Sequence, residues 1–370
     1  MKRRAFLGAG AALPALALLP RLSFAQNVAG GQGVFDPRPG AWRTFEITTR
    51  MEIVNPGGVA RAWIPVPAIE GDYQRVGDNS WSGNAQTARL VNDGKYGVSM
   101  LAAEWSAAEQ APAIEVVSRF STRNRAVDFS RRDPSFFLDG PGVAFYTAAT
   151  ELLPTDGIVA RTAKEIVKGK RGDVDKARAV YEWVVENSFR DPKTQGCGVG
   201  DVKALLESGT IGGKCADLNG LFVALCRASG VPARDVYGVR VAKSEFGYRS
   251  LGAGTENITR AQHCRAEVFL TGFGWVPTDP ADVRKVVLEE KAQPTTLTDP
   301  LVPPVRAKLF GAWEGNWVAY DTGHDVQLPG TKSAKVGFMM SPQAEAARGR
   351  VDPLDPDNLK YRITAREVKA

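Results

Sequence analysis

The sequence predicts an α+β protein in which helices pack on an antiparallel sheet and an all-β, sandwich-like domain precedes them. Apolar and polar residues alternate with period two between residues 42 and 128, as they do in half-buried strands. From residue 159 to residue 229 the apolar residues recur at helical spacing instead, and strand-like segments return after residue 235. A run of helices followed by a run of strands is typical of an α+β layer.

The first strands are predicted where alternation is longest. Asn55-Pro56-Gly57-Gly58 has turn chemistry and separates two of them. The clearest strands are Phe45–Ile53, Arg61–Ile64 and Ile114–Phe120. Strands that each bury one face predict an antiparallel sandwich. Residues 129–156 are rich in glycine and proline, so we expect them to be irregular.

Four helices and several further strands are predicted after residue 156. Asp173 can cap the second helix, and Gly230 and Pro232 end the fourth. The helices are predicted near Val159–Val167, Asp173–Val184, Val202–Glu207 and Cys215–Ser229, and the strands near Asp235–Ala242, His263–Leu270, Trp275–Thr278, Trp317 and Lys360–Val368. We therefore predict a β domain at 26–150 and a second domain at 151–370 that includes the C-terminal strands.

Residues 1–25 are predicted to be a signal peptide. The segment starts with basic residues 2–4, continues with alanine and leucine, and ends at Ser23-Phe24-Ala25, which suits cleavage before Gln26. Residues 3–7 resemble a twin-arginine export signal; an ordinary secretory signal is the alternative and also predicts export. The apolar run is short and broken by prolines, which disfavours a spanning helix. We expect a periplasmic or secreted bacterial protein that is not inserted in the membrane.

Charge and metal-ligand content exclude several function classes. The formal net charge is +6, but the predicted signal peptide holds four positive and no negative residues, which leaves +2. This near-neutral balance disfavours nucleic-acid binding. The four cysteines form no C-x-x-C pair and there are only two histidines, so neither a zinc site nor another metal or cofactor site is predicted.

Cys215 is the candidate nucleophile. It follows Gly212-Gly213-Lys214 and opens an amphipathic helix, where the positive helix end lowers the pKa of a thiol. The paired glycines allow an unusual backbone entry and a close approach to a ligand. The alternative is a small buried apolar residue.

His263 and Asp279 are the candidate base and its orienting carboxylate. Cys264, Ala266, Val268 and Leu270 form one apolar strand face, so His263 points to the other face. If the following hairpin is centred on Thr271, His263 lies opposite Asp279, within reach of an imidazole–carboxylate hydrogen bond. A bulge would break this register, and a turn residue is the alternative for Asp279.

These motifs resemble the transglutaminase-like superfamily. The segments concerned are Gly213–Asn219, Gly230–Arg234, His263–Phe269 and Gly274–Pro280. The resemblance implies a papain/transglutaminase-like core and a catalytic triad in the order cysteine, histidine, aspartate. It also implies a protein or peptide substrate, which the cysteine attacks to form a thioester. It is specific over residues 211–282 and looser over 150–370. Many members have tryptophan where this chain has Arg265, so the resemblance does not predict the shape of the pocket that binds the acyl acceptor.

The sequence leaves several other functions possible. A cysteine peptidase or amidase differs only in that water resolves the thioester. Gly-Gly-Lys-Cys also resembles arylamine N-acetyltransferases, although the export signal and the added β domain disfavour them. A non-catalytic periplasmic binding or scaffold protein could retain the fold.

Residues outside the triad are expected to be mainly structural. Cys226 lies on nearly the same helix stripe as Cys215 and is expected to pack inside. Cys197 is predicted on a loop ahead of the site, with no role beyond that placement; a lid thiol or a disulfide partner is the alternative. His324 is predicted on an exposed loop. Trp313 and Trp317 could line a groove, although core packing is more common for tryptophan. The redox states of Cys197, Cys226 and Cys264, and the oligomeric state, are not determined by the sequence.

Overall fold

The computed structural model describes residues 34–369. The predicted signal peptide at 1–25 therefore lies outside the described residues. Within 34–369, we find no helix with the length and apolar character needed to span a bilayer.

The described chain contains strands β1–β17 and helices α1–α7. The strands of the first third are β1 Arg43–Ile53, β2 Ala60–Pro65, β3 Gln74–Gly83, β4 Thr87–Asn92, β5 Ser99–Trp105, β6 Ala113–Thr122 and β7 Arg125–Ala126. The later strands are β8 Phe189–Arg190, β9 Gly212–Gly213, β10 Ala233–Arg240, β11 Arg265–Leu270, β12 Gly274–Thr278, β13 Ala312–Trp313, β14 Trp317–Asp321, β15 Gln343–Ala346, β16 Gly349–Val351 and β17 Leu359–Val368. The helices are α1 Gly140–Thr147, α2 Gly157–Ile166, α3 Gly172–Asn187, α4 Val202–Glu207, α5 Cys215–Ala228, α6 Pro280–Glu289 and α7 Val302–Lys308.

Two antiparallel sheets are built mainly from the N-terminal strands. One has the order β17-β1-β6-β3 and the other β16-β15-β2-β5-β4. Strand β1 buries alternate side chains, among them Phe45, Ile47 and Met51, as its period-two pattern predicts. These strands confirm the many-stranded N-terminal region and, with the helices that follow, the α+β class.

The C-terminal strands pair with the N-terminal ones. Strand β17 runs antiparallel to β1 from Thr44↔Val368 to Ile53↔Leu359, and β15 pairs with β2. The strands that we predicted as part of 151–370 thus complete the two N-terminal sheets. The division into 26–150 and 151–370 remains a prediction.

A third sheet and four helices form the layer that carries the motifs. The sheet has the order β12-β11-β10-β14, and α5 packs against β10, β11 and helices α2, α3 and α6. Helix α5 is almost entirely buried, because apolar residues such as Leu221 and Phe222 cover most of its surface. A fully enclosed helix gives its first residues a fixed position.

Three local predictions were wrong. Helix α3 has Arg171 as its N-cap, and Asp173 lies in the first turn, where it accepts a hydrogen bond from the Thr271 N–H at 2.6 Å. Residues 129–156 contain helix α1, which Asp139 caps. His324 is buried, not exposed, and its Nε2 lies 3.3 Å from a carboxylate oxygen of Asp235.

Candidate active site

Asp217 stabilises the start of α5. Its carboxylate accepts hydrogen bonds from the N–H groups of Lys214 and Gly200, both at 2.9 Å. A Cβ on Gly213 would lie 2.5 Å from Asp217, so this close packing requires glycine there. The Ala216 N–H also donates to the Cys197 carbonyl at 2.9 Å. The loop carrying Cys197 is therefore held against the first turn of α5, with Cys215 at its first position.

The hairpin β11–β12 brings the histidine and the aspartate together in a different register from the predicted one. Leu270 pairs with Gly274 and Ala266 with Thr278, so the turn is centred on Gly272 instead of Thr271. Gly272 and Gly274 both have positive φ, which this longer turn needs. The predicted register was wrong by two positions, a shift that leaves every side chain on its predicted face.

His263 and Asp279 are in contact despite that shift. Nε2 of His263 lies 2.7 Å from Oδ2 of Asp279, and both residues are buried. Asp279 is also the N-cap of α6 and accepts from the Asp282 N–H at 3.0 Å. One carboxylate oxygen of Asp279 thus caps the helix while the other faces the imidazole.

Asn219 joins the helix to this pair, and sequence reasoning missed it. Its Nδ2 donates to Oδ1 of Asp279 at 3.1 Å and to the Cys264 carbonyl at 2.9 Å, and its Oδ1 accepts from the Ala281 N–H at 3.2 Å. Asn219 lies one helical turn after Cys215, on the same stripe of α5. A polar residue at that spacing on a buried face was the available signal.

Asp282 is a second carboxylate beside the imidazole. Its Oδ1 lies 3.4 Å from Nε2 of His263, and both of its oxygens accept from Nη2 of Arg240, at 2.6 and 2.7 Å. Neither residue was predicted, and Asp282 was missed because Pro280 was interpreted only as the end of a strand. The same proline opens α6, whose first turn carries Asp282.

The surroundings favour a thiolate at Cys215 and a protonated His263. Hydrogen bonds from the Cys197 and Cys264 thiols, and then His263, hold the pKa of Cys215 well below its usual range despite burial. Burial and Arg240 lower the pKa of His263, but Asp282 and Asp279 outweigh them and raise it to about 9. Since Nε2 faces the carboxylates, Nδ1 is the ring nitrogen left for the sulfur.

The four cysteines are free thiols. The pKa of the partly buried Cys197 is raised mainly by its hydrogen bond with Cys215, and that of Cys264 by burial and then by its hydrogen bond with Cys215. Cys226 is buried in the core, as expected, and burial raises its pKa. Only Cys215 has the electrostatic features of a reactive thiol.

The His263 cluster could offer ligands to a metal ion but fits an ion-pair site better. Ligand atoms of His263, Asp279 and Asp282 lie within 4.8 Å of one another. Arg240 already pairs with Asp282, and Nε of Arg265 lies 3.8 Å from Asp279. Two arginines supply the positive charge that a divalent cation would otherwise contribute.

The polar face of β11 is also buried. Arg265 lies over the rings of Trp317 and Trp313, at 4.6 and 5.3 Å from their centroids, and donates to the Glu314 carbonyl at 2.9 Å. Trp317 Nε1 donates to the His263 carbonyl at 2.8 Å. The two tryptophans are therefore core residues that support the histidine, and Arg265 packs on them.

A cleft of about 740 Å³ opens above Cys215 and His263. Its size is within the range of small-molecule and peptide-binding sites. Cys215, Cys197 and His263 are among the residues that line it. The N–H of Cys215 donates no hydrogen bond to any of residues 34–369.

Comparison with known proteins gives four findings. The family model described as the transglutaminase-like superfamily matches residues 160–280, which include Cys215, His263 and Asp279. An uncharacterized protein of Haemophilus influenzae is 34% identical over 344 residues, covering 88% of this chain and 91% of that protein. A structure from Cytophaga hutchinsonii named "Putative Cysteine Protease" is 16% identical, covers 89% of this chain and 99% of its own, and has a TM-score of 0.49. The periplasmic domain of TgpA from Pseudomonas aeruginosa is 16% identical, with coverage of 66% and 89% and a TM-score of 0.32.

Proposed function

Because this chain belongs to the transglutaminase-like superfamily, we propose that it is an enzyme that cleaves or transfers at a carboxamide or peptide bond through a thioester on Cys215. His263 is the proposed acid–base and Asp279 the orienting carboxylate. The observation that carries the proposal is the 2.7 Å contact of Nε2 with Asp279, which leaves Nδ1 for a thiol at the start of a buried helix.

The first half-reaction forms the thioester. The Cys215 thiolate attacks the carbonyl carbon, a C–S bond forms, and the carbonyl electrons move onto oxygen, where the Cys215 N–H can donate. When the tetrahedral intermediate collapses, the C–N bond breaks and His263 gives its proton to the leaving amine. An acyl-enzyme, a neutral His263 and a free amine result.

The second half-reaction releases the acyl group. His263 takes a proton from an amine or from water as that nucleophile attacks the thioester, and the C–S bond then breaks to restore the thiolate. Both transfer and hydrolysis use the same residues. We place the reaction in the periplasm or outside the cell, and this proposal rests on the signal pattern in residues 1–25.

Alkylation tests the nucleophile. Iodoacetamide near neutral pH should modify Cys215 faster than Cys197, Cys226 or Cys264, with sites identified by mass spectrometry. His263→Gln should slow this reaction, whereas His324→Gln, at the other buried histidine, should not. Equal rates at all accessible cysteines would contradict the thiolate pair and favour a non-catalytic binding protein.

A substrate assay separates transfer from hydrolysis. The protein is incubated with a glutamine-rich protein and a labelled primary amine. Incorporation of the amine indicates transfer, while ammonia or new chain ends without incorporation indicate an amidase or peptidase. Loss of either product in Cys215→Ala is required by the proposal.

A further inference from the structure

The cleft above Cys215 is lined by positive charge. Six of the residues that line it are cationic and come from different helices, strands and loops: Arg190, Lys214, Arg240, Arg260, Lys285 and Lys360. Among the described residues that line this cleft, none is aspartate or glutamate. A concave wall with charge of one sign concentrates ligands of the opposite sign.

Three of these six cations form ion pairs with carboxylates that do not line the cleft. Arg240 pairs with Asp282 at 2.6 Å, and Glu289 pairs with Arg190 and, at 3.8 Å, with Lys285. These ion pairs neutralise three of the six cations. They also occupy Asp282 and Glu289, which therefore do not pair with the other three.

Lys214, Arg260 and Lys360 make no ion pair with any residue from 34 to 369. Arg260 and Lys360 are exposed, and Lys214 is half-buried beside Cys215. Asp352 and Asp355 accept hydrogen bonds from backbone N–H groups of their own loop and form no ion pair with any of these three cations. The lining of the cleft thus includes three cations that have no ion-pair partner among residues 34–369.

We infer that the acyl donor is an acidic peptide, with a carboxylate close to the scissile carbonyl that binds Lys214, Arg260 and Lys360. This inference rests on the proposed function of the same site. Composition does not explain the clustering, since the chain without residues 1–25 has a formal charge of only +2. A peptide supplies the carboxylate either from an Asp or Glu side chain or from its C-terminus.

A matched pair of alkylating agents tests the charge without any substrate. Iodoacetate is anionic and iodoacetamide is neutral, so the ratio of their rates at Cys215 reports the potential in the cleft. This ratio should exceed that of N-acetylcysteine amide by about two- to fivefold for each unpaired cation. It should fall as salt is raised. A ratio equal to that of the small thiol overturns the inference even if Cys215 is fully reactive.

Charge-neutralising variants locate the effect. Arg260→Gln with Lys360→Gln should lower the iodoacetate-to-iodoacetamide ratio by about 4- to 25-fold. Lys203→Gln with Arg348→Gln removes two exposed cations that do not line the cleft, and should leave the ratio unchanged. Equal effects of the two double variants would mean that the net charge of the protein, and not the cleft, is responsible.

Peptide pairs then test the substrate class and distinguish its sources. One pair differs by Glu against Gln next to the scissile carbonyl, and the other by a free against an amidated C-terminus. The proposal expects faster amine release from the acidic member of at least one pair, and the faster pair identifies the source. No preference, or faster reaction of neutral peptides, overturns the substrate assignment. Absence of turnover with normal Cys215 alkylation would instead refute the proposed function.

Discussion

Nε2 of His263 lies 2.7 Å from Oδ2 of Asp279, with both side chains enclosed by protein. The carboxylate fixes the imidazole and favours its protonated form, while Asp282 adds a second negative charge at 3.4 Å. A buried imidazolium is stable only beside such charges. The pair therefore determines in which pH range a thiolate–imidazolium pair exists at Cys215.

The first prediction concerns the pH profile of alkylation. The pKa of Cys215 is lowered well below its usual range and that of His263 is raised to about 9, so we expect a thiolate–imidazolium pair at neutral pH. The iodoacetamide rate at Cys215 should be nearly flat from about pH 6 to about pH 8, whereas an ordinary thiol rises about tenfold per unit below its pKa near 8.5. His263→Gln should restore part of that rise, since the Cys197 and Cys264 thiols still stabilise the thiolate. A native inflection near pH 8.5 would contradict the pair.

The second prediction concerns Asp279. Asp279→Asn keeps an acceptor for Nε2 but removes the negative charge, so the pKa of His263 should fall, as measured by NMR titration of the ring. Asp282 still lies 3.4 Å away, so the fall should be partial. Acyl transfer should decrease by about 10²- to 10⁴-fold. Asp133→Asn, at an exposed carboxylate, is the control. An unchanged His263 titration would show that Asp279 does not stabilise the imidazolium.

Local apolar patterns predicted most of the helices and strands. They did not predict which strands pair with one another. Helix α5 and strands β1 and β11 follow from apolar spacing within a few residues. The pairing of β17 with β1 joins residues more than 300 positions apart, and no local spacing specifies it.

At the site, the sequence predicted on which face of a strand each side chain lies, but not which residues pair across the hairpin. His263 and Asp279 were placed together although the register was shifted by two, because such a shift preserves the face. Asp282 was missed because α6 was missed, since Pro280 can end a strand as well as begin a helix. Arg240 lies on the predicted strand β10, but its pairing with Asp282 could not be predicted without α6. The burial of the charged face of β11 depends on Trp313 and Trp317, which come from distant strands.

The third prediction concerns Asn219. Asn219→Ala would leave the Cys264 carbonyl and the Ala281 N–H without their buried partner, so the free energy of unfolding should fall by about 2–4 kcal/mol. Asn187→Ala removes an exposed side chain that bonds only to its own helix, and should cost less than about 0.5 kcal/mol. Denaturant unfolding measures both changes. Similar losses in the two variants would contradict the role of Asn219.

The fourth prediction concerns Cys197. Its thiol is the largest single contribution to the lowered pKa of Cys215. Cys197→Ala should therefore shift the pH profile of Cys215 alkylation upward, although Cys264 and His263 still stabilise the thiolate. Cys226→Ala lies in the core and should leave the profile unchanged. A profile that is the same in all three proteins would show that Cys197 does not lower the pKa of Cys215.

The last prediction concerns Glu267, the buried carboxylate that joins β11 to neighbouring segments. It pairs with Arg125, and its Oε2 accepts from Nε of Arg234 at 2.6 Å. Glu267→Gln leaves two arginines without their buried counter-charge, so the free energy of unfolding at neutral pH should fall by about 3–5 kcal/mol. Glu207→Gln, at an exposed residue that forms no ion pair within 34–369, should change it by less than about 0.5 kcal/mol.

The effect of Glu267→Gln should also depend on pH. Both arginines lower the pKa of Glu267 in the folded protein below its usual value near 4.5, against the opposing effect of burial. A carboxylate with a lowered folded pKa contributes its stabilisation above the unfolded pKa, and this contribution is lost as pH falls through the folded value. The difference in unfolding free energy between the native protein and Glu267→Gln should be constant from about pH 6 to 8 and shrink below about pH 4.5. Denaturant unfolding across this range measures it, and a difference that grows in acid would mean that Glu267 is protonated in the folded protein at neutral pH.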